Sequence, residues 1–197
     1  MICPSCKRSF FFLTSCAWQV PARCAKCGHR ALAEKPSYEG YHRHLYASRS
    51  YRRTPQTDPQ MGFIFKALRI QPGEVVVDLG CGIGDYTVQA SKYTANAAGY
   101  DQSVKEAAQK YPGVRFFEHD LSKPIPLPDH SADKVISINV IEHLLDWELF
   151  LGECRRILKP GGGIALSTAN RDFLLHDFHF DSTHLHEWTR GEFEALT

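Results

Sequence analysis

From Met61 onward, short apolar runs alternate with segments whose apolar positions recur every three or four residues. Compact runs at 74–79 (EVVVDL), 97–101 (AAGYD), 114–118 (VRFFE), 133–139 (DKVISIN) and 163–169 (GIALSTA) predict strands. Residues 61–70 predict a helix ended by Gln71-Pro72-Gly73, and further helices are expected at 85–93, 103–110 and 146–158. In the last of these Leu149, Phe150, Cys154, Ile157 and Leu158 fall near one face, and Pro160-Gly161-Gly162 is expected to stop it. Strict alternation of strands and helices predicts an α/β, doubly wound, mostly parallel Rossmann-like sheet with helices on both faces.

The first sixty residues follow neither rhythm. Cys3-Pro-Ser-Cys6 and Cys24-Ala-Lys-Cys27-Gly28 flank a 17-residue spacer with two short apolar runs, FFFL and WQV. Two such turns can present four thiolates tetrahedrally to one zinc ion, which would leave no open position and make the metal structural. The pattern resembles a zinc ribbon; a redox dithiol and disulfides are the alternatives. Residues 1–30 are read as this ribbon, 31–59 as a basic and aromatic connector, and 60–197 as the main domain.

Charge sharpens the division. Residues 1–60 carry ten Lys/Arg against three Asp/Glu, +7, whereas 61–197 carry thirteen against nineteen, −6. In the connector, Arg43, Arg49, Arg52 and Arg53 interleave with Tyr38, Tyr41, Tyr46 and Tyr51, which suits stacking on bases beside phosphates, a cover for a small-molecule pocket, or a plain linker. Hydrophobic residues at 43% and charged residues at 23% fit a globular protein, and no apolar run reaches membrane-span length. Lys7-Arg8 followed by FFFLTSCAW is superficially like a secretory signal, but cleavage there would destroy the cysteine pattern, so a cytoplasmic location is expected.

The chemistry concentrates where the first strand runs out, at VVVDLGCGIGDYT (75–87). Gly80, Cys81, Gly82, Ile83 and Gly84 would turn the chain from strand into helix, at the strand end where ligands sit in such folds. A dinucleotide fingerprint needs G-x-G-x-x-G; here the spacing is G-x-G-x-G and Asp85 stands at the third position, which disfavours a dehydrogenase. Asp78 suits an ammonium group and Asp101, ending the second strand, suits ribose hydroxyls. An amino acid joined to a nucleoside without phosphate is S-adenosylmethionine.

In combination these motifs resemble the class I S-adenosylmethionine-dependent methyltransferases. VVVDLGCGIGDYT is similar to the family's first motif, and GYDQS to its second-strand motif with Asp101 and Gln102. EHDLSKPIPLPDHSADKVISINVIEHLLD is similar to the stretch from the adenine contact through the fourth strand, and RRILKPGGGIALSTAN to the fifth-strand motif. The resemblance implies that Asp120 and the backbone at Leu121 meet the adenine, that Asn139 and Val140 line the cleft beside the methionine portion, and that Tyr86 closes over the cofactor. A sulfonium is an activated methyl donor, so an acceptor needs alignment, exclusion of water and sometimes loss of a proton.

Histidines are the expected bases. His143 follows the fourth strand, and HDFHFDSTHLHEWT carries His176, His179, His184 and His186 after the fifth. For His143 a role in positioning the loop is weighed beside catalysis, and for His184 and His186 an acceptor pocket is ranked ahead of a solvated loop and of a metal site. The family's sheet continues with two more strands beyond the point where this sequence stops, so a fragment, or self-association through an exposed fifth strand, is expected. A small-molecule acceptor is favoured by the acidic main domain. A ribbon ahead of such a domain is also similar to certain ribosomal RNA guanine methyltransferases, and a non-catalytic binding module is the remaining reading.

Overall fold

The computed structural model describes residues 54–171 and 184–196. The ribbon cysteines and residues 31–53 of the connector lie outside this range, as do His176 and His179.

The described chain opens with α1 (Pro59–Leu68), capped by the Asp58 side chain, which accepts from the Met61 amide, with proline just inside the first turn. It continues through β1 (Val76–Leu79), α2 (Asp85–Ser91), β2 (Ala97–Asp101), α3 (Lys105–Lys110) and β3 (Arg115–Glu118). Then come β4 (Ala132–Ile138), a 3-10 turn at Ile141–His143, α4 (Trp147–Ile157), β5 (Leu158–Ser167) and α5 (Arg190–Glu194). The five strands are parallel in the order β3-β2-β1-β4-β5. The order reverses between β1 and β4, so their carboxyl ends diverge into a crevice.

Successive side chains of a strand face opposite ways, and the core divides accordingly. Val77, Leu79, Ala98, Tyr100 and Val135 pack with Phe150, Leu151, Cys154 and Ile157 of α4. Val76, Ala97 and Ile136 pack on the other face with Met61, Ile64, Phe65 and Leu68 of α1 and with Tyr86 and Ala90 of α2. The expected parallel sheet with helices on both faces is therefore present.

Two boundaries differ from expectation. Helix α4 ends at Ile157, and β5 begins at Leu158, ahead of Pro160-Gly161-Gly162. Leu158 pairs with Ala132 while Gly163 pairs with Lys134, so the glycines form an irregularity inside the strand. Within α4, Phe150, Cys154 and Ile157 are buried as expected, but Leu151 joins them and Leu149 does not.

Candidate active site

The end of β1 is strapped to the end of β2: the Gly80 and Cys81 amides both donate to the Tyr100 carbonyl, at 2.7 and 3.2 Å. Gly80 has φ +78°, and a Cβ there would lie 2.2 Å from Cγ2 of Val140. The turn after β1 and the loop after β4 thus meet with no room for a side chain. At the other end of the turn Gly84 has φ +85°, and a Cβ would lie 2.6 Å from the Phe116 ring.

Both expected acids sit at this turn and both are buried. Asp78 is 2% exposed and its Oδ2 accepts the Thr87 hydroxyl at 2.6 Å. Burial, helped by the nearby Asp101 charge and opposed by the Thr87 hydrogen bond, raises its pKa from 3.8 to about 7. Asp101 holds the turn from beneath, Oδ2 accepting from the Gly82 amide at 2.8 Å and Oδ1 from the Ser103 amide at 3.1 Å. The Cys81 thiol fills the space that a side chain at Gly99 would need, so Cys81 faces the crevice through its backbone; burial and the two acids raise its pKa.

Asp85, in the first turn of α2, accepts from Tyr111 Oη at 2.7 Å and Lys110 Nζ at 3.0 Å. A neutralised carboxylate thus occupies the helix start that a dinucleotide fold offers to pyrophosphate. Tyr86 stacks on Phe65 of α1, and its hydroxyl lies 3.5 Å from the Asp58 carboxylate, which joins it to the segment entering α1.

Beyond β2 and β3, Gln102, Glu118, His119, Asp120 and Lys123 line an open depression of about 430 Å3. Asp120 Oδ1 accepts from the Ser122 hydroxyl (2.7 Å), the Ser122 amide and the Gln102 amide group. These bonds, led by the Ser122 hydroxyl, hold its carboxyl below the usual range. The Leu121 side chain is buried in the core.

The histidines converge. The Glu142 carbonyl accepts from the Leu185 amide at 2.7 Å and the His186 amide at 3.3 Å, which docks the segment after β5 onto the turn after β4. His143 and His184 then meet edge to face with ring centres 5.1 Å apart, while His186 stacks on Trp188 and reaches the Leu145 carbonyl. Asn139, at φ +56°, is exposed beside this cluster and accepts the Ser167 hydroxyl at 3.3 Å. Sequence reasoning missed Thr87, Ser103 and Ser122, whose signal is their spacing from the acids they support, and it read Glu142 beside His143 as positioning the loop without naming it a site residue.

Residues 77–166 match the family model described as a methyltransferase domain. A probable S-adenosylmethionine-dependent methyltransferase of Mycolicibacterium smegmatis is 35% identical over 117 residues, 54% of this chain and 45% of that protein. A ubiquinone biosynthesis O-methyltransferase of Rhizobium etli is 30% identical over 112 residues, again 54% of this chain and 45% of its own. Among solved structures, the YcgJ protein of Bacillus subtilis superposes with a TM-score of 0.60 at 25% identity, covering 70% of this chain and 65% of that one. The chain thus spans under half the length of these two curated relatives. Among the described residues no helix is long and apolar enough to cross a membrane.

Proposed function

We propose that this chain, whose residues 77–166 match the family model of a methyltransferase domain, is a class I, S-adenosylmethionine-dependent enzyme that transfers a methyl group to a small-molecule acceptor. The observation that carries the reading is the pair of buried acids, Asp78 and Asp101, on either side of a glycine turn with no room for side chains at Gly80 and Gly84. Asp85 adds to it by occupying the position of a pyrophosphate.

Asp78, oriented by Thr87, would take the ammonium group of the donor. Asp101 would accept from the ribose hydroxyls, and Asp120 with the Leu121 backbone would meet the adenine, with Gln102 bracing Asp120. Gly80, Cys81, Gly82 and Gly84 would supply the close backbone, and Val140 with Asn139 the wall toward the acceptor. When bound, S-adenosylmethionine supplies a sulfonium-activated methyl group. The protein's own part is then alignment of the acceptor, exclusion of water and disposal of any acceptor proton. His143, His184 and His186, gathered beside Val140 by the docked segment, form the acceptor side of the cleft. The relative named for ubiquinone biosynthesis supports a small-molecule oxygen as acceptor.

The spacing of Cys3, Cys6, Cys24 and Cys27 supports a structural zinc ribbon ahead of this domain. Calorimetric titration with S-adenosylhomocysteine, with NADH as control, tests the donor site: saturable binding that Asp101→Ala loses is expected, and binding of NADH instead would overturn the reading. Steep salt-dependent binding of the +7 head to RNA would replace the small molecule by an RNA acceptor.

A further inference from the structure

The turn after β4 and the segment after β5 bring together three groups from distant parts of the sequence. One ligand atom from each of Glu142, His143 and His184 lies within 4.8 Å of the others. Glu142 is 1% exposed, and its Oε2 has no hydrogen-bond partner. A carboxylate taken out of water with an open oxygen is expensive unless a cation completes it.

The surroundings suit a cation. The Glu142 carbonyl is spent on the Leu185 and His186 amides, so the backbone fixes the cluster without using the side chain. Glu187 Oε1 lies 3.5 Å from His184 Nδ1, a carboxylate behind a ring as commonly found behind metal-bound histidines. The cluster begins two residues beyond Val140, which packs on the glycine turn. It therefore stands on the acceptor side of the crevice.

We propose that Glu142, His143 and His184 bind a divalent transition-metal ion. Two imidazoles and one carboxylate favour a first-row transition-metal ion, Fe2+ or Zn2+ with the harder Mn2+ binding more weakly, over Mg2+ or Ca2+, which want oxygen alone. Three protein ligands leave coordination positions open, and an acceptor hydroxyl bound there becomes more acidic. This last role, which makes the acceptor a hydroxyl compound, rests on the methyl-transfer reading; the metal site itself does not. His143 and His184 then act as ligands and not as free bases.

The test uses Mn2+ on the full chain, because imidazole and carboxylate hold this ion whereas the thiolates of Cys3, Cys6, Cys24 and Cys27 prefer zinc. Binding is read from loss of the free-ion paramagnetic resonance signal. One site is expected, weakened at least about tenfold in Glu142→Gln and in His184→Ala and kept in His130→Ala. His130 provides the control because its Nδ1 engages the Leu158 carbonyl at the opposite end of β5. Thermal unfolding guards against a misfolded variant: without Mn2+, Glu142→Gln should melt at or above the wild-type temperature, and Mn2+ should raise only the wild type. No Mn2+ site in the wild type, or an unchanged site in both variants, overturns the proposal. S-adenosylhomocysteine titrated into the same samples separates the two readings: a chain that binds it but shows no Mn2+ site sinks only the metal, and a chain that binds Mn2+ but not S-adenosylhomocysteine sinks only the donor site.

Discussion

The Thr87 hydroxyl donates to Asp78 Oδ2 at 2.6 Å, across the turn that joins β1 to α2. It steadies this acid's side chain but does not offset burial beside Asp101: the pKa stands near 7 instead of 3.8. A raised carboxylate pKa means that the folded chain binds the proton more tightly than the unfolded chain. The destabilising effect of Asp78 is therefore absent below pH 3.8, grows as pH rises, and is complete above about pH 7. Its ceiling is about 4 kcal/mol. Asp78→Asn keeps the Thr87 hydrogen bond, so it should be more stable than the wild type at pH 8 and match it near pH 4. Chemical unfolding at both pH values measures this. The same variant should lose S-adenosylhomocysteine, because the ammonium partner is gone.

Asp101 takes the Gly82 and Ser103 amides on separate oxygens, so one residue shapes the turn and, on the proposed reading, also meets the ribose. Asp101→Asn retains an acceptor for only one of the two amides. We expect S-adenosylhomocysteine affinity to fall about 10- to 100-fold, the value of one or two charge-assisted hydrogen bonds. Calorimetry at fixed pH reads it, and an unchanged Kd would remove Asp101 from the donor site.

Gly80→Ala should damage both fold and site. Its φ of +78° strains any side chain, and the new Cβ would collide with Val140 Cγ2. The expected loss is about 1–3 kcal/mol in unfolding free energy. Val140→Ala in the same chain should recover part of it by opening the contact, a coupling that a double-mutant cycle detects.

These residues show what was legible beforehand. Asp78, Asp101 and the glycines were readable because a strand end, an acid and a turn occupy adjacent positions in sequence. The β5 start was misplaced because Pro160-Gly161-Gly162 signals a stop, and only pairing with β4 makes those residues part of a strand. His143 and His184 were singled out beforehand, but their meeting with each other and with Glu142 was out of reach for a different reason. It depends on the Leu185 and His186 amides docking on the Glu142 carbonyl, a contact spanning more than forty residues that no local pattern encodes.

The seam of α4 gives a comparison within one turn of helix. Phe150 is 1% exposed against the sheet, whereas Leu149 is 37% exposed, although both looked apolar and inward in the sequence. Phe150→Ala should lose about 3–5 kcal/mol through transfer and cavity terms, and Leu149→Ala should stay within about 0.5 kcal/mol. Urea midpoints of the two variants decide it, and equal losses would contradict the helix orientation.

The proposed zinc ribbon makes a prediction of its own. If Cys3, Cys6, Cys24 and Cys27 hold zinc as four thiolates, the purified chain should carry one tightly held zinc equivalent, and Cys24→Ser should release it. A chelator strong enough to strip the ion should unfold the ribbon, because so short a segment cannot bury enough apolar surface without it. The domain from Met61 onward has its own two-sided core, so its melting and its S-adenosylhomocysteine binding should survive the treatment. Elemental analysis paired with calorimetry before and after chelation separates the two units. Loss of donor binding together with zinc would instead make the ribbon part of the active unit.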